Sequence, residues 1–132
     1  MALQKQLVAG IYPVQSIELG KPCGLADADA VVEILLRCIE DHPKARLITI
    51  FDYLQHIWEL GGEIPDGFIA VRNIVFCLDS GLDAPELVAL RPRAIGVTEF
   101  EDRFVVSYME SPLAEYNATL ATWLSGLPVI NP

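Results

Sequence analysis

No run of Lys or Arg occurs in this 132-residue chain, where nine basic residues stand against eighteen acidic ones for a net charge of −9. Phosphate backbones and anionic membrane surfaces are both held by clustered cations, so nucleic acid and membrane are set aside as partners. No stretch approaches the roughly 18 consecutive apolar residues of a membrane helix. The N-terminal segment MALQKQLVAGIYPVQ has one Lys and no long apolar core, and does not read as a signal peptide. Cysteine is scarce, with Cys23, Cys38 and Cys77 widely spaced and no CxxC pair, which excludes a disulfide framework or a zinc ribbon. Free thiols suit a reducing cytoplasm, the expected location. Histidine is scarcer still, with only His42 and His56. GxSxG, HExxH and phosphate-cradling glycine loops are all missing. The sequence favours binding over catalysis and predicts no cofactor.

Apolar material, by contrast, is abundant. The composition is 52% hydrophobic and 20% charged, enough for one domain spanning residues 1–132 with a true core. Residues 12–19 alternate as a first strand, Val14, Ser16 and Glu18 on one face and Gln15, Ile17 and Leu19 on the other. Residues 27–42 predict an amphipathic helix. Val31, Val32, Leu35, Leu36 and Ile39 form its stripe, Asp27 or Asp29 its cap, and Pro43 its stop. Cys38 is expected in its core, and His42 at its C-terminal end, where a positive charge suits the dipole.

The segment RLITIFDYLQHIWEL, residues 46–60, fits a strand or a helix. Its β-branched and aromatic start favours a strand to about Leu54. Residues 68–78, FIAVRNIVFCL, predict a strand apolar on both faces, consistent with a doubly buried sheet or with a dimer interface over one face. APELVAL suggests a helical turn, and RAIGVTEF with RFVVSYME a hairpin across Glu101–Asp102. A last helix is expected with Ser111 as cap, Pro112 at its first position, and Leu113, Tyr116, Leu120, Trp123, Leu124 and Leu127 in its stripe. The predicted fold is α+β: an antiparallel sheet of about five strands with two helices packed on one face, in the order strand, helix, four strands, helix.

The stretch NIVFCLDSGLDAPELVALRPRAIGVTEFEDRFVVSYMESP resembles the bacterial family called domain of unknown function 302. That resemblance implies a TATA-binding-protein-like fold of one strand, one helix, four strands and one helix. A second uncharacterised bacterial family is similar in its FD-H-Y-A-H, NIVFC and RPRSIGV segments. These correspond here to FDYLQH, to Asn73–Cys77 and to Arg91–Val97. Its first histidine falls on Tyr53 and its second on His56, so a two-histidine site in such relatives would keep only His56 here. The resemblance implies a fold and brings no activity with it.

Five residues are the polar candidates for a ligand site: Arg91, Arg93, Asp52, His56 and Cys77. Arg91 and Arg93 make the densest basic spot, and guanidinium forks suit an anionic ligand. The plainer reading pairs them with acids. On a helix Asp52 and His56 would meet; on a strand they lie roughly 13 Å apart, with Asp52 capping or pairing with an Arg. Cys77 reads as a buried thiol, unless a positive neighbour activates it. Tyr108 and Glu110 flank the end of the last strand, Tyr108 as core. Two main functions compete: a domain binding a small anionic ligand, and a homodimer whose apolar sheet face or edge is the interface. A metal- or thiol-dependent redox protein, with Cys77 near His56, is the third.

Overall fold

The computed structural model describes residues 3–79 and 81–128. Six strands form one fully antiparallel sheet: β1 (Gln4–Val8), β2 (Tyr12–Gly20), β3 (Arg46–Asp52), β4 (Ala70–Cys77), β5 (Arg93–Glu99) and β6 (Arg103–Met109), in the spatial order β1-β2-β6-β5-β4-β3. Three α-helices accompany it, α1 (Ala28–Asp41), α2 (Tyr53–Glu59) and α3 (Ala114–Ser125), with 3₁₀ turns at Lys21–Cys23 and Pro85–Leu90. The expectation of five strands and two helices is corrected by β1 and α2. Without those two additions, the observed order is the expected strand, helix, four strands and helix.

α1 and α3 cover one face of the sheet. α1 lies over β3, β4 and β5, while α3 lies over β2 and against α1. The period of two along each strand sends Ile17 and Leu19, Ile74 and Phe76, Ile95 and Val97, and Phe104, Val106 and Tyr108 into this layer. They meet Val31, Leu35 and Ile39 from α1 and Tyr116, Leu120 and Leu124 from α3. Among the described residues, no layer covers the opposite face. A row of small and polar residues, Ser16, Ser107, Gly96 and Asn73, crosses it in register. Val71 and Val75 lie half-buried beside that row. The double apolarity of residues 68–78 is therefore a core face at Ile74, Phe76 and Leu78 and a half-open face at Val71, Val75 and Cys77.

Local chemistry sets the element ends. Asp27 caps α1, accepting from Ala30 N at 2.9 Å. His42 follows as its C-terminal cap, ahead of Pro43. α3 begins later than expected. Ser111 Oγ accepts from Leu113 N (3.1 Å), and the Asn117 amide clamps both backbone groups of Ser111. These bonds spend Ser111 on a separate turn, so Leu113 precedes the helix without a side-chain cap and stays exposed. Cys38 is half-buried rather than core, and burial with Asp41 nearby pushes its thiol pKa up. Tyr108 is buried as expected.

Glu99 is the buried charged residue of the layer beneath α1. Its carboxylate takes Lys21 Nζ at 2.6 Å and Ala28 N at 2.9 Å. It thus ties β5 to the α1 N-terminus, where the helix dipole favours an anion. Both partners account for this acid structurally.

Candidate functional site

The unusual feature of the surface is the edge made by β3 and α2. Every residue of β3 is exposed, on both faces, although Leu47, Ile48, Ile50 and Phe51 are all apolar. The register explains part of this. Ile50 pairs with Ile74 and Leu47 with Phe76 on the helix face, while Phe51 pairs with Asn73 and Thr49 with Val75 on the open face. Among the described residues no strand lies beyond β3, and α1, which packs across β3, β4 and β5 alike, leaves its outer side open. A bulge between Leu47 and Thr49 inserts Ile48, which is 53% exposed.

α2 starts directly from the strand. Asp52 Oδ1 accepts from Gln55 N at 3.0 Å, and Oδ2 pairs with Arg72 Nη1 at 3.3 Å. Arg72 also reaches Asp29 at 3.3 Å, so one guanidinium links the starts of α1 and α2. α2 buries none of its residues. Trp58 and Leu60 stand 69% and 74% exposed. Trp58, Ile64 and Ile69, with Asp52, Gln55 and Arg72, line a groove of about 400 Å³ between α2 and β4. On the other side of the edge the His56 ring lies 5.3 Å from that of Phe51 and 5.9 Å from that of Tyr53.

The five sequence candidates do not form one site. Asp52 and His56 lie at the α2 end of β3. Asp52 is on the strand as expected, closing it while it caps the helix and pairs with Arg72; the strand reading is corrected only beyond it, since His56 belongs to the helix, packed in an aromatic cluster. Cys77 lies opposite Arg46 at the other end of β3, six strand steps or about 20 Å from Asp52. A Cys77–His56 couple is therefore not formed. Cys77 is also half-buried, where burial in the core was expected.

Arg91 and Arg93 lie near the Cys77 end, and both are engaged. Arg91 Nη2 pairs with Asp79 at 2.7 Å, and its Nη1 donates to the Gly81 carbonyl. Arg93 donates to the carbonyls of Leu90, Met109 and Glu110, at 3.3, 2.7 and 3.1 Å. Burial lowers its pKa. Among the described residues, no group of three or more His, Cys, Asp or Glu is placed to hold a metal.

Sequence reasoning passed over Trp58, Leu60 and Ile69. The available signal was the run LITIF, apolar but for Thr49, next to Asp52-Tyr53-Leu54-Gln55, the D-x-x-Q spacing of a helix start.

No helix among the described residues is long and apolar enough to cross a membrane. Neither the curated proteins nor the solved structures contain a match to this chain. A family model matches residues 3–128: the chain belongs to the family described as "Family of unknown function (DUF6858)".

Proposed function

We propose that this protein is a non-catalytic interaction domain that self-associates through the β3–α2 edge. The observation that carries this reading is the exposure of β3 along its whole length. An unpaired, apolar edge strand is a template for another chain, and natural proteins normally blunt it with charge, proline or a covering element. Here charge occurs only at the ends, Arg46 and Asp52. The neighbouring helix enlarges the apolar surface instead of covering it.

A second copy is the partner that fits. Laid antiparallel about a two-fold axis near Thr49, two β3 strands bring the Arg46 end of each toward the Asp52 end of the other. Ile48 and Ile50 then meet between them, an isologous arrangement. The bulge limits continuous backbone pairing, so side chains of β3 and α2 carry most of the contact. The edge measures roughly 23 Å along the strand and about 20 Å through the sheet and helix layers. That is on the order of 500 Å² per copy, below the ~800 Å² of a standard interface. An interface of this size belongs with the weak, transient ones, and a dissociation constant in the micromolar range is the expected outcome.

The reading that gathers Arg91, Arg93, Asp52, His56 and Cys77 around one anion has less support, because the residues stand at two ends of the sheet. A cytoplasmic setting belongs to the proposal and is supported by three cysteines outside any disulfide. The TATA-binding-protein-like kinship is supported by the order β2, α1, β3 to β6 and α3. Hydrogen exchange at two protein concentrations tests the association: β3 amides should be protected at high concentration and exchange freely on dilution. Equal exchange at both would count against it.

A further inference from the structure

A second feature lies beyond the Arg46 end of β3, away from α2. There the end of α1, the turn before β3, the residues after β4 and the first turn of α3 enclose a cavity of about 270 Å³. This is near the lower end of small-ligand pockets, too small for a nucleotide.

Its polar groups carry both charge signs. Lys44 and Glu115 are exposed at its margin. Asp79 is held in the wall by Arg91 at 2.7 Å and by Gly81 N at 3.1 Å, so its position is fixed. His42 Nδ1 accepts from Lys44 N at 3.1 Å. That bond assigns the ring proton of the neutral imidazole to Nε2. The ring edge also packs on Trp123, centroids 6.0 Å apart. Two polar side chains are therefore oriented by bonds made behind them.

The Tyr116 side chain completes the wall. Its residue is 6% exposed, and its buried hydroxyl has no hydrogen-bond partner among the described residues. Burial, then the facing Asp79 carboxylate, pushes the phenol up to about 12. A buried hydroxyl left unpartnered is costly and calls for an explanation.

A simple anion would meet Lys44 but also Asp79 and Glu115, and a simple cation the reverse. We infer that this cavity binds a small zwitterion of the α-amino acid class, its carboxylate on Lys44 and His42 Nε2–H and its ammonium on Asp79 and Glu115. An ammonium docked on Asp79 also offers Tyr116 Oη the donor it lacks. The binding is non-covalent and needs no second copy of the chain.

The test is calorimetric titration of the full chain with glycine and the common α-amino acids, with acetate and methylammonium as single-charge probes, each to about 10 mM. At least one zwitterion should bind saturably, and each single-charge probe at least about tenfold more weakly. Lys44→Ala and Tyr116→Phe should each weaken binding about tenfold. Tyr116→Phe should keep or raise the melting temperature, because the hydroxyl it removes has no partner. Lys44 is exposed, so its variant reads out binding even if Tyr116→Phe folds poorly. No saturable binding by any zwitterion overturns the inference, as does equal binding of acetate or methylammonium, or unchanged binding by either folded variant.

Discussion

The two edges of the sheet are finished differently. β1 presents Gln4, Lys5 and Gln6 before two apolar residues, and it is pinned by side chains: Lys5 Nζ reaches Glu110 at 3.2 Å, and Gln15 reaches the same carboxylate at 3.0 Å. β3 presents Leu47, Ile48, Ile50 and Phe51 between single end charges, with Trp58 and Leu60 beside them. A lysine within an edge strand discourages strand addition; β1 has one there and β3 does not. The difference argues that β1 is an edge kept in solvent and β3 one left for a partner. The β1–β2 hairpin tip exposes Leu7, Val8, Ile11 and Tyr12, which makes it the natural control.

The largest expected effect comes from charging the β3 edge. Trp58→Glu should weaken self-association about 30-fold, on the order of 2 kcal/mol, as for a central aromatic anchor. Ile48→Lys should weaken it about tenfold or more. Leu7→Lys at the hairpin tip should leave it unchanged. Sedimentation equilibrium of the three variants decides the matter; equal weakening by Leu7→Lys would erase the contrast between the edges.

A smaller effect is expected from Asp52→Ala, which removes the α2 cap and one of the two acids held by Arg72. A loss of about 1 kcal/mol in urea unfolding is expected, with looser association because α2 is less well placed. Unchanged stability together with unchanged association would separate α2 from the interface.

Salt should act in the direction set by the net charge of −9. Two such chains repel, and their contact is mainly apolar, so raising NaCl from about 0.05 to about 0.5 M should leave association intact or tighten it by screening. Dissociation by salt would point to an ionic interface instead.

The smallest effect separates the edges by pH. The Gln15 hydrogen bond, then Lys5, holds Glu110 below the usual carboxylate range. A lowered folded value means that its contribution is complete above the unfolded value, about 4.3. It is lost as pH falls through the folded value. Melting temperature should therefore drop slightly more steeply below about pH 4.3 in the wild type than in Glu110→Gln. The apolar contact at β3 should show no matching step; parallel curves for the two proteins would remove Glu110 as the pin of β1.

What could be read from the sequence followed the strength of local signals. α1 was legible because a stripe, a cap and a proline stop all agreed. The β5–β6 hairpin was legible from its alternation and turn. β1 was missed because Gln4-Lys5-Gln6 carries no strand pattern; its pairing comes from β2 alone, through a turn in which Ala9 and Gly10 adopt positive φ. α2 was missed because β-branched and aromatic residues outweighed the D-x-x-Q start. The candidate site suffered more. Arg91 and Arg93 looked available because sequence cannot show that Asp79 and four carbonyls occupy them. The exposure of β3 depends on its place at the end of the strand order, a tertiary fact.

An apolar edge that joins two copies of this chain makes association depend on concentration. Sedimentation velocity of the untagged protein from about 1 to about 500 μM tests it most directly. A monomer converting to a two-chain species across the micromolar range is the expected result. A single monomeric species throughout would contradict the account.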